Sequence, residues 1–293
     1  MSNPPAAASP SPALVSAWNH QREASIAADR VKASYSLWRT TLFAFAIVVA
    51  FLETLSGQVA DATLGRVLAG GGAVLIALVP VIGSFKTSGD RLRQWITARS
   101  VSEQLKAEVF FYLLRCGGYA SGNADAELAK VTRELVENLD ASIVVGVESD
   151  GKPIPQAGDV NDYIEVRLDG QIRYYRGAAE KAAGAVFRNR TIQFLLAGVA
   201  ALIGAAGALL DQLTIASWVA VITTIGASIA AYVAAGRYEH LVLNYVSTAR
   251  RLEYLKNRWL ADPQPDPCPF VAECEAAISS QNEGWMAEFM KAN

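Results

Sequence analysis

Four apolar blocks restrict what this chain can fold into. They cover about residues 40–56, 67–85, 191–210 and 212–236, and Glu53 is the single charged side chain within them. A helix needs roughly 20 apolar residues to cross a hydrocarbon core about 30 Å thick. Four such blocks in one chain are hard to reconcile with buried helices of a water-soluble protein. Composition alone is less telling: 52% of residues are hydrophobic and 18% are charged. Those averages merge apolar blocks with the charged segments between them. So apolar a chain is not disordered, and a net charge of −2 supplies no bulk attraction to nucleic acid.

The blocks pair into hairpins. Residues 56–66 separate the first two blocks, and Asp211 alone separates the last two. Orientation follows from Lys and Arg, which favour the cytoplasmic side. Four lie in the first 40 residues, fifteen in the connector 86–190 and six after residue 236, whereas Arg66 alone sits in a hairpin loop. The expected arrangement is an all-α membrane protein of the cell (inner) membrane. Four transmembrane helices form two hairpins, both termini are cytoplasmic, and long cytoplasmic helices extend the spans. Residues 1–12, rich in Pro, Ala and Ser, read as a disordered tail rather than a cleavable signal.

The two halves repeat. Arg39-Thr40-Thr41-Leu42-Phe43 lies 151 residues before Arg190-Thr191-Ile192-Gln193-Phe194, and Thr97-Ala98-Arg99 lies 151 before Thr248-Ala249-Arg250. Glu103-Gln104-Leu105-Lys106 lies 150 before Glu253-Tyr254-Leu255-Lys256. Matches in one register favour tandem copies. The expected organisation is a tail (1–12), a first two-span unit (13–147), a Gly- and Pro-bearing linker (148–158) and a second two-span unit (159–293). After each hairpin the second span is expected to continue into a helix with an a/d seam. Trp95 and Leu105 mark the first seam, and Tyr238, Leu241, Tyr245, Leu252, Leu255 and Trp259 mark the second. Tyr163 to Tyr175 admits two readings, a helix bent at Gly170 or a β-hairpin turned at Asp169-Gly170.

Small residues recur at every fourth position in the later spans, as Ala200, Gly204, Ala208 and as Gly226, Ala230, Ala234. Such stripes let helix backbones approach closely in lipid. They serve either packing within one chain or an oligomer or pore seam. Gly70, Gly71, Gly72 and Pro80 make the second span the most deformable, a candidate gating element. Glu53 near an outer span end either pairs with Arg66 across the loop or charges an outer pore mouth. Cys116, Cys268 and Cys274 are too few for a disulfide framework. Cys268 and Cys274 lack the partner ligands of a zinc site and read as buried or reduced thiols. No Walker loop, dinucleotide fingerprint, HExxH or nucleophile elbow occurs. The sequence therefore nominates no catalytic, cofactor-binding or metal-ligating residues.

Several stretches resemble the SLATT family of two-transmembrane effector domains and the DUF4231-type proteins that carry two such units. They are Tyr163-Ile164-Glu165-Val166-Arg167 with Gln171-Ile172-Arg173-Tyr174-Tyr175 before a hairpin, and Ala249-Arg250-Arg251-Leu252-Glu253 with Leu255-Lys256 after it. A third is Phe270-Val271, Glu273-Cys274-Glu275 and Trp285 in the tail. The resemblance covers about residues 15–290. It implies a non-enzymatic membrane effector that oligomerises and forms a pore or perturbs the bilayer in bacterial anti-phage or nucleotide-linked defence. The implied partners are the lipid bilayer, further copies of the chain and a cytoplasmic sensor or nucleotide-signalling protein. The near absence of polar residues in the spans keeps open a non-conducting scaffold that recruits cytoplasmic partners through its helices.

Overall fold

The computed structural model describes residues 10–210, 215 and 217–290, without the side chains of 235 and 281–290. Most of the expected tail, the turn at Asp211 and the side chain of Trp285 therefore lie outside the described residues. Among those described the chain is all-α and contains no strand. The helices are α1 (Pro12–Ser56), α2 (Ala62–Lys86), α3 (Gly89–Leu113), α4 (Ala124–Val136), α5 (Ala141–Val144), α6 (Val160–Tyr163), α7 (Asp169–Leu209), α8 (Trp218–Gly236), α9 (Tyr238–Ala261) and α10 (Cys268–Met290). A 3-10 turn (Gly117–Tyr119) follows α3, and a π turn (Ile164–Leu168) joins α6 to α7. Residues 163–175 are thus helical, and the hairpin reading is excluded. Gly170 sits within the first turn of α7. The irregularity lies earlier, in the π turn, where bonds spanning five residues replace the usual four.

Among the described residues four helices are long and apolar enough to cross a membrane. In each, no more than 12% of the apolar window is buried by the rest of the chain. Apolar surface left uncovered on this scale requires lipid rather than water as its solvent. The chain is therefore a membrane protein. α1 and α7 are assigned as helices of 45 and 41 residues, each containing an apolar block and residues ahead of it.

The helices leaving the membrane behave differently. The second span of each hairpin was expected to run on into its cytoplasmic helix, but each is interrupted, at residues 87–88 and at Arg237. α2 ends where the Thr87 amide and hydroxyl both turn back to the Gly83 carbonyl. α8 ends where Arg237 adopts a left-handed conformation, φ 45° and ψ 37°, which is unfavourable for a residue with a Cβ. The last apolar block is helical from Trp218 rather than from 212.

By internal contacts the chain divides into two units. One contains residues 1–32, 92–176 and 245–293, and the other residues 33–91 and 177–244. Each draws on both halves of the sequence. The first unit has an ordinary apolar core. Tyr163, Leu168, Leu252, Leu255, Val271, Cys274 and Ile278 are buried together with Phe110 and Trp259. The Trp259 and Phe270 rings stack at 4.9 Å. A second cluster packs Leu14, Ala17 and Trp18 against Val109, Tyr112, Tyr119 and Leu128. Residues 148–158 carry no helix but are pinned to α1. Trp18 donates to the Lys152 carbonyl at 2.8 Å, and Arg22 grips both Asp150 oxygens at 2.9 and 2.8 Å.

The second unit contains the spans. α1 and α8 meet at two levels, with Phe43 edge-on to Tyr232 at 5.4 Å and Phe51 against Trp218 at 5.5 Å. Gln58 accepts from Trp218 Nε1 and donates to the Ser217 hydroxyl. Asp61 caps α2 by accepting from the Thr63 and Leu64 amides, satisfying donors that a helix start leaves open.

Candidate functional site

The densest polar chemistry in the first unit is built by the π turn. Tyr163 and Arg167 are four residues apart, and the π turn carries Ile164, Arg167 and Leu168 on its buried side. Arg167 thus enters the core, with its side chain 1% exposed. Its Nε donates to Glu275 Oε1 at 2.9 Å and its Nη2 to Oε2 at 2.8 Å, a bidentate grip on α10. Nη1 reaches Glu103 of α3 at 3.4 Å. The Tyr163 hydroxyl donates to Glu275 Oε1 at 2.9 Å, and Arg99 holds the other Glu103 oxygen at 2.8 Å. The guanidinium lies 5.6 Å from the Phe110 ring centre.

Burial and charge oppose each other at this cluster. Burial pushes the Glu103 carboxyl up, but Arg99 and Arg167 outweigh it, and its pKa falls below the usual carboxylate value. Burial likewise favours a neutral Arg167, yet Glu275 raises its affinity for the proton further. Burial raises the Tyr163 phenol well above its ordinary value. It also pushes the Cys274 thiol up to about 12. Neither Tyr163 nor Cys274 is therefore ionised near neutrality. A cavity of about 50 Å³ beside Glu103 and Glu275, lined also by Ser100, Gln104 and Ser279, is of water size. With each guanidinium nitrogen bound to a carboxylate, the cluster is a clamp rather than a reaction centre. It ties α3, the π turn and α10 together. Two flanking pairs reinforce α7 against α9: Lys256 on both Asp169 oxygens at 2.6 and 2.8 Å, and Arg176 on Glu253 at 2.6 Å.

This cluster was not among the residues nominated from sequence. Its signal was present, since Tyr163, Arg167 and Glu275 all belong to the stretches that carry the family resemblance. Their meeting could not be read from a chain position 108 residues away. Among the cysteines Cys268 departs from the expected reduced thiol, whereas Cys274 is the buried thiol expected. Cys116 and Cys268 form a disulfide with Cα atoms 5.2 Å apart, joining the end of the α3 segment to the start of α10, and Cys274 is a buried free thiol. Among the described residues no group of three or more His, Cys, Asp or Glu is placed to hold a metal.

The nominated membrane residues distribute unevenly. Ala200 is buried, Gly204 faces Val219 of α8 (a Cβ there would meet its Cγ2 at 3.7 Å), and Ala208 is exposed. On α8, Gly226 has no neighbour within 4 Å of an added Cβ, and Ala230 and Ala234 are exposed. Gly70 and Gly71 have open space around them, and Pro80 is exposed on α2. Gly72 is buried, because Glu53 Oε1 lies where its Cβ would be, 2.6 Å away. Glu53 is thus set against the α2 backbone instead of Arg66. Of the seam residues Leu105, Leu252, Leu255 and Trp259 are buried, while Trp95, Tyr238, Leu241 and Tyr245 are half-buried. Tyr245 lies against Tyr175 at 6.0 Å, and Lys32 lies over the Trp95 ring at 5.4 Å.

Comparison with known families places two matches along the chain. The family described as the SMODS and SLOG-associating 2TM effector domain 1 matches residues 163–285. A family described as a protein of unknown function (DUF4231) matches residues 18–127. No curated protein and no solved structure matches the chain.

Proposed function

We propose that the chain, matched over residues 163–285 by the SLATT model and over residues 18–127 by the DUF4231 model, is a membrane effector of bacterial defence that assembles through its spans and opens a conducting path when triggered. The proposed setting is the inner membrane with both termini cytoplasmic. The trigger would arrive from a cytoplasmic sensor or nucleotide-signalling partner through the clamped helices of the first unit. The observation that carries this reading is the uncovered small-residue face of α8. Ala230 and Ala234 are exposed, and a Cβ added at half-buried Gly226 would meet nothing within 4 Å; such a face packs closely against a second helix in lipid. The deformable run Gly70-Gly71-Gly72 with Pro80 supplies a candidate gate, and Glu53 with Arg66 a candidate outer mouth.

The test is release of a fluorescent dye from liposomes carrying the full-length protein, paired with membrane depolarisation in expressing cells. Cross-linking in the same liposomes reports the copy number. Release and depolarisation that both fall when Ala230 becomes Leu support the reading. Liposomes that stay sealed, together with cells that stay polarised, overturn it.

A non-conducting scaffold is the second reading, and one observation favours it. The hydroxyls of Thr223 and Thr224 return to carbonyls of their own helix, at Val219 and Ala220, instead of lining a polar path. Sealed liposomes with intact recruitment of a cytoplasmic partner would support it. Both readings are non-enzymatic.

A further inference from the structure

A groove of about 390 Å³ opens at the end of the first hairpin remote from the 57–61 turn. It is lined by Trp38 of α1, Val81, Ile82, Phe85 and Lys86 of α2, and Arg91 of α3. Its composition is graded along α2. Val81 and Phe85 lie one turn apart and remain 51% and 71% exposed, an apolar strip inside a membrane-spanning helix. Ile82 and Lys86 form the adjacent row one turn apart, so the strip ends in a cation. Lys86 Nζ lies 5.7 Å from the Trp38 ring centre, and Arg91 completes the polar rim. Among the described residues that line the groove, Lys86 and Arg91 carry the charge.

We propose that this groove binds one anionic phospholipid, its acyl chain along Val81, Ile82 and Phe85 and its phosphate at Lys86 and Arg91, with Trp38 at the interface between them. A soluble anion would use the two cations but has no need of an apolar strip running into the span. A neutral lipid would use the strip but gains little from a two-cation rim. The combination fits a ligand with both parts, and Trp beside Lys or Arg is the usual chemistry of the headgroup level. The repeat argues that the site is specific to the first hairpin. Displaced by 151 residues, its six positions become Asn189, Tyr232, Val233, Gly236, Arg237 and Val242. The second hairpin thus lacks the tryptophan, the phenylalanine and one of the two cations. The proposal does not depend on whether the protein conducts.

The experiment is native mass spectrometry of the full-length protein in neutral detergent, supplied with phosphatidylglycerol or with phosphatidylcholine of the same acyl chains. The wild type is expected to retain phosphatidylglycerol in preference to phosphatidylcholine. Lys86→Gln with Arg91→Gln is expected to lower retention about tenfold, while Lys86→Arg with Arg91→Lys keeps it. Arg250→Gln with Arg251→Gln, cations elsewhere on the chain, should leave it unchanged. Melting in lipid-free detergent checks that each variant folds, and the charge-conserving pair keeps the test decisive if the Gln pair does not. Equal retention of both lipids by the wild type, or undiminished retention by a folded Gln pair, overturns the proposal. So does loss of retention in the charge-conserving pair. Displacement of phosphatidylglycerol by millimolar inorganic phosphate overturns it too, by identifying a soluble-anion site instead.

Discussion

Arg167 and Glu275 form a bidentate ion pair at 2.9 and 2.8 Å, with side chains 1% and 5% exposed, across 108 residues of chain. Desolvating two charges costs several kcal/mol, which the mutual attraction offsets only when both partners are present. Glu275→Ala should therefore destabilise the fold by about 3–5 kcal/mol, as expected when one buried partner is removed. Arg167→Met combined with Glu275→Leu should recover most of that loss, because no buried charge is then stranded. Denaturant unfolding in detergent followed by tryptophan fluorescence measures both. If the double variant is as unstable as the single, the pair is not the unit assumed here.

The Cys116–Cys268 bond closes a loop of 152 residues in sequence separation, and disulfides across long loops typically contribute about 2–4 kcal/mol. Reduction, or Cys116→Ser, should lower unfolding stability by that order. Without reductant, maleimide labelling of unfolded protein should modify Cys274 alone. Such bonds persist in oxidising compartments and are rare in the cytosol. Labelling of protein trapped rapidly from cells thus also reports which environment this end of α10 inhabits. Three modified thiols in trapped protein would mean that the bond is open there.

Alkaline pH should unfold the first unit partly through Cys274. Its folded pKa, about 12, is above the ordinary 9.0 because burial disfavours the thiolate. The stability it contributes is fully present below about pH 9 and is lost as pH rises from 9 toward 12, since the unfolded thiol ionises first. Cys274→Ala should flatten this part of a stability-against-pH curve. An unchanged slope would assign the alkaline limb to other groups, such as Tyr245, which burial also raises to about 12.

Glu103 acts at the acid end. Its folded pKa is depressed by Arg99 and Arg167 against the opposing effect of burial. Its contribution is therefore present above the ordinary carboxylate value of 4.5 and is lost as pH falls through the depressed one. Glu103→Gln should be less stable than the wild type near pH 7 and converge on it in acid. Parallel curves across the whole range would show that the charge is not what matters.

Gly236 is required by its neighbour. A Cβ at this position would run into the Tyr238 ring, at the break where Arg237 is left-handed. Gly236→Ala should cost about 1–3 kcal/mol, the range for overpacking a tight contact. Tyr238→Leu should relieve much of it in the double variant, giving a measurable coupling in a double-mutant cycle. Strict additivity of the two effects would show that the collision is avoided some other way.

What the sequence alone determined is the set of properties that depend on local pattern. Uninterrupted apolar blocks require a helix and a lipid solvent, because a backbone in hydrocarbon must satisfy its own hydrogen bonds. The 3–4 spacing of Leu252, Leu255 and Trp259 announces a buried stripe wherever its partners lie. The tertiary structure alone decided the rest. The Gly72 notch for Glu53, the break at Arg237, the Cys116–Cys268 bond and the Arg167 clamp each join residues or conformations that no periodicity encodes. An arginine reads as a surface residue until packing removes its water and brings carboxylates from distant helices to replace it. Its position beside Tyr163 was visible in the chain. The charge it would meet was settled only when α3, the π turn and α10 packed together.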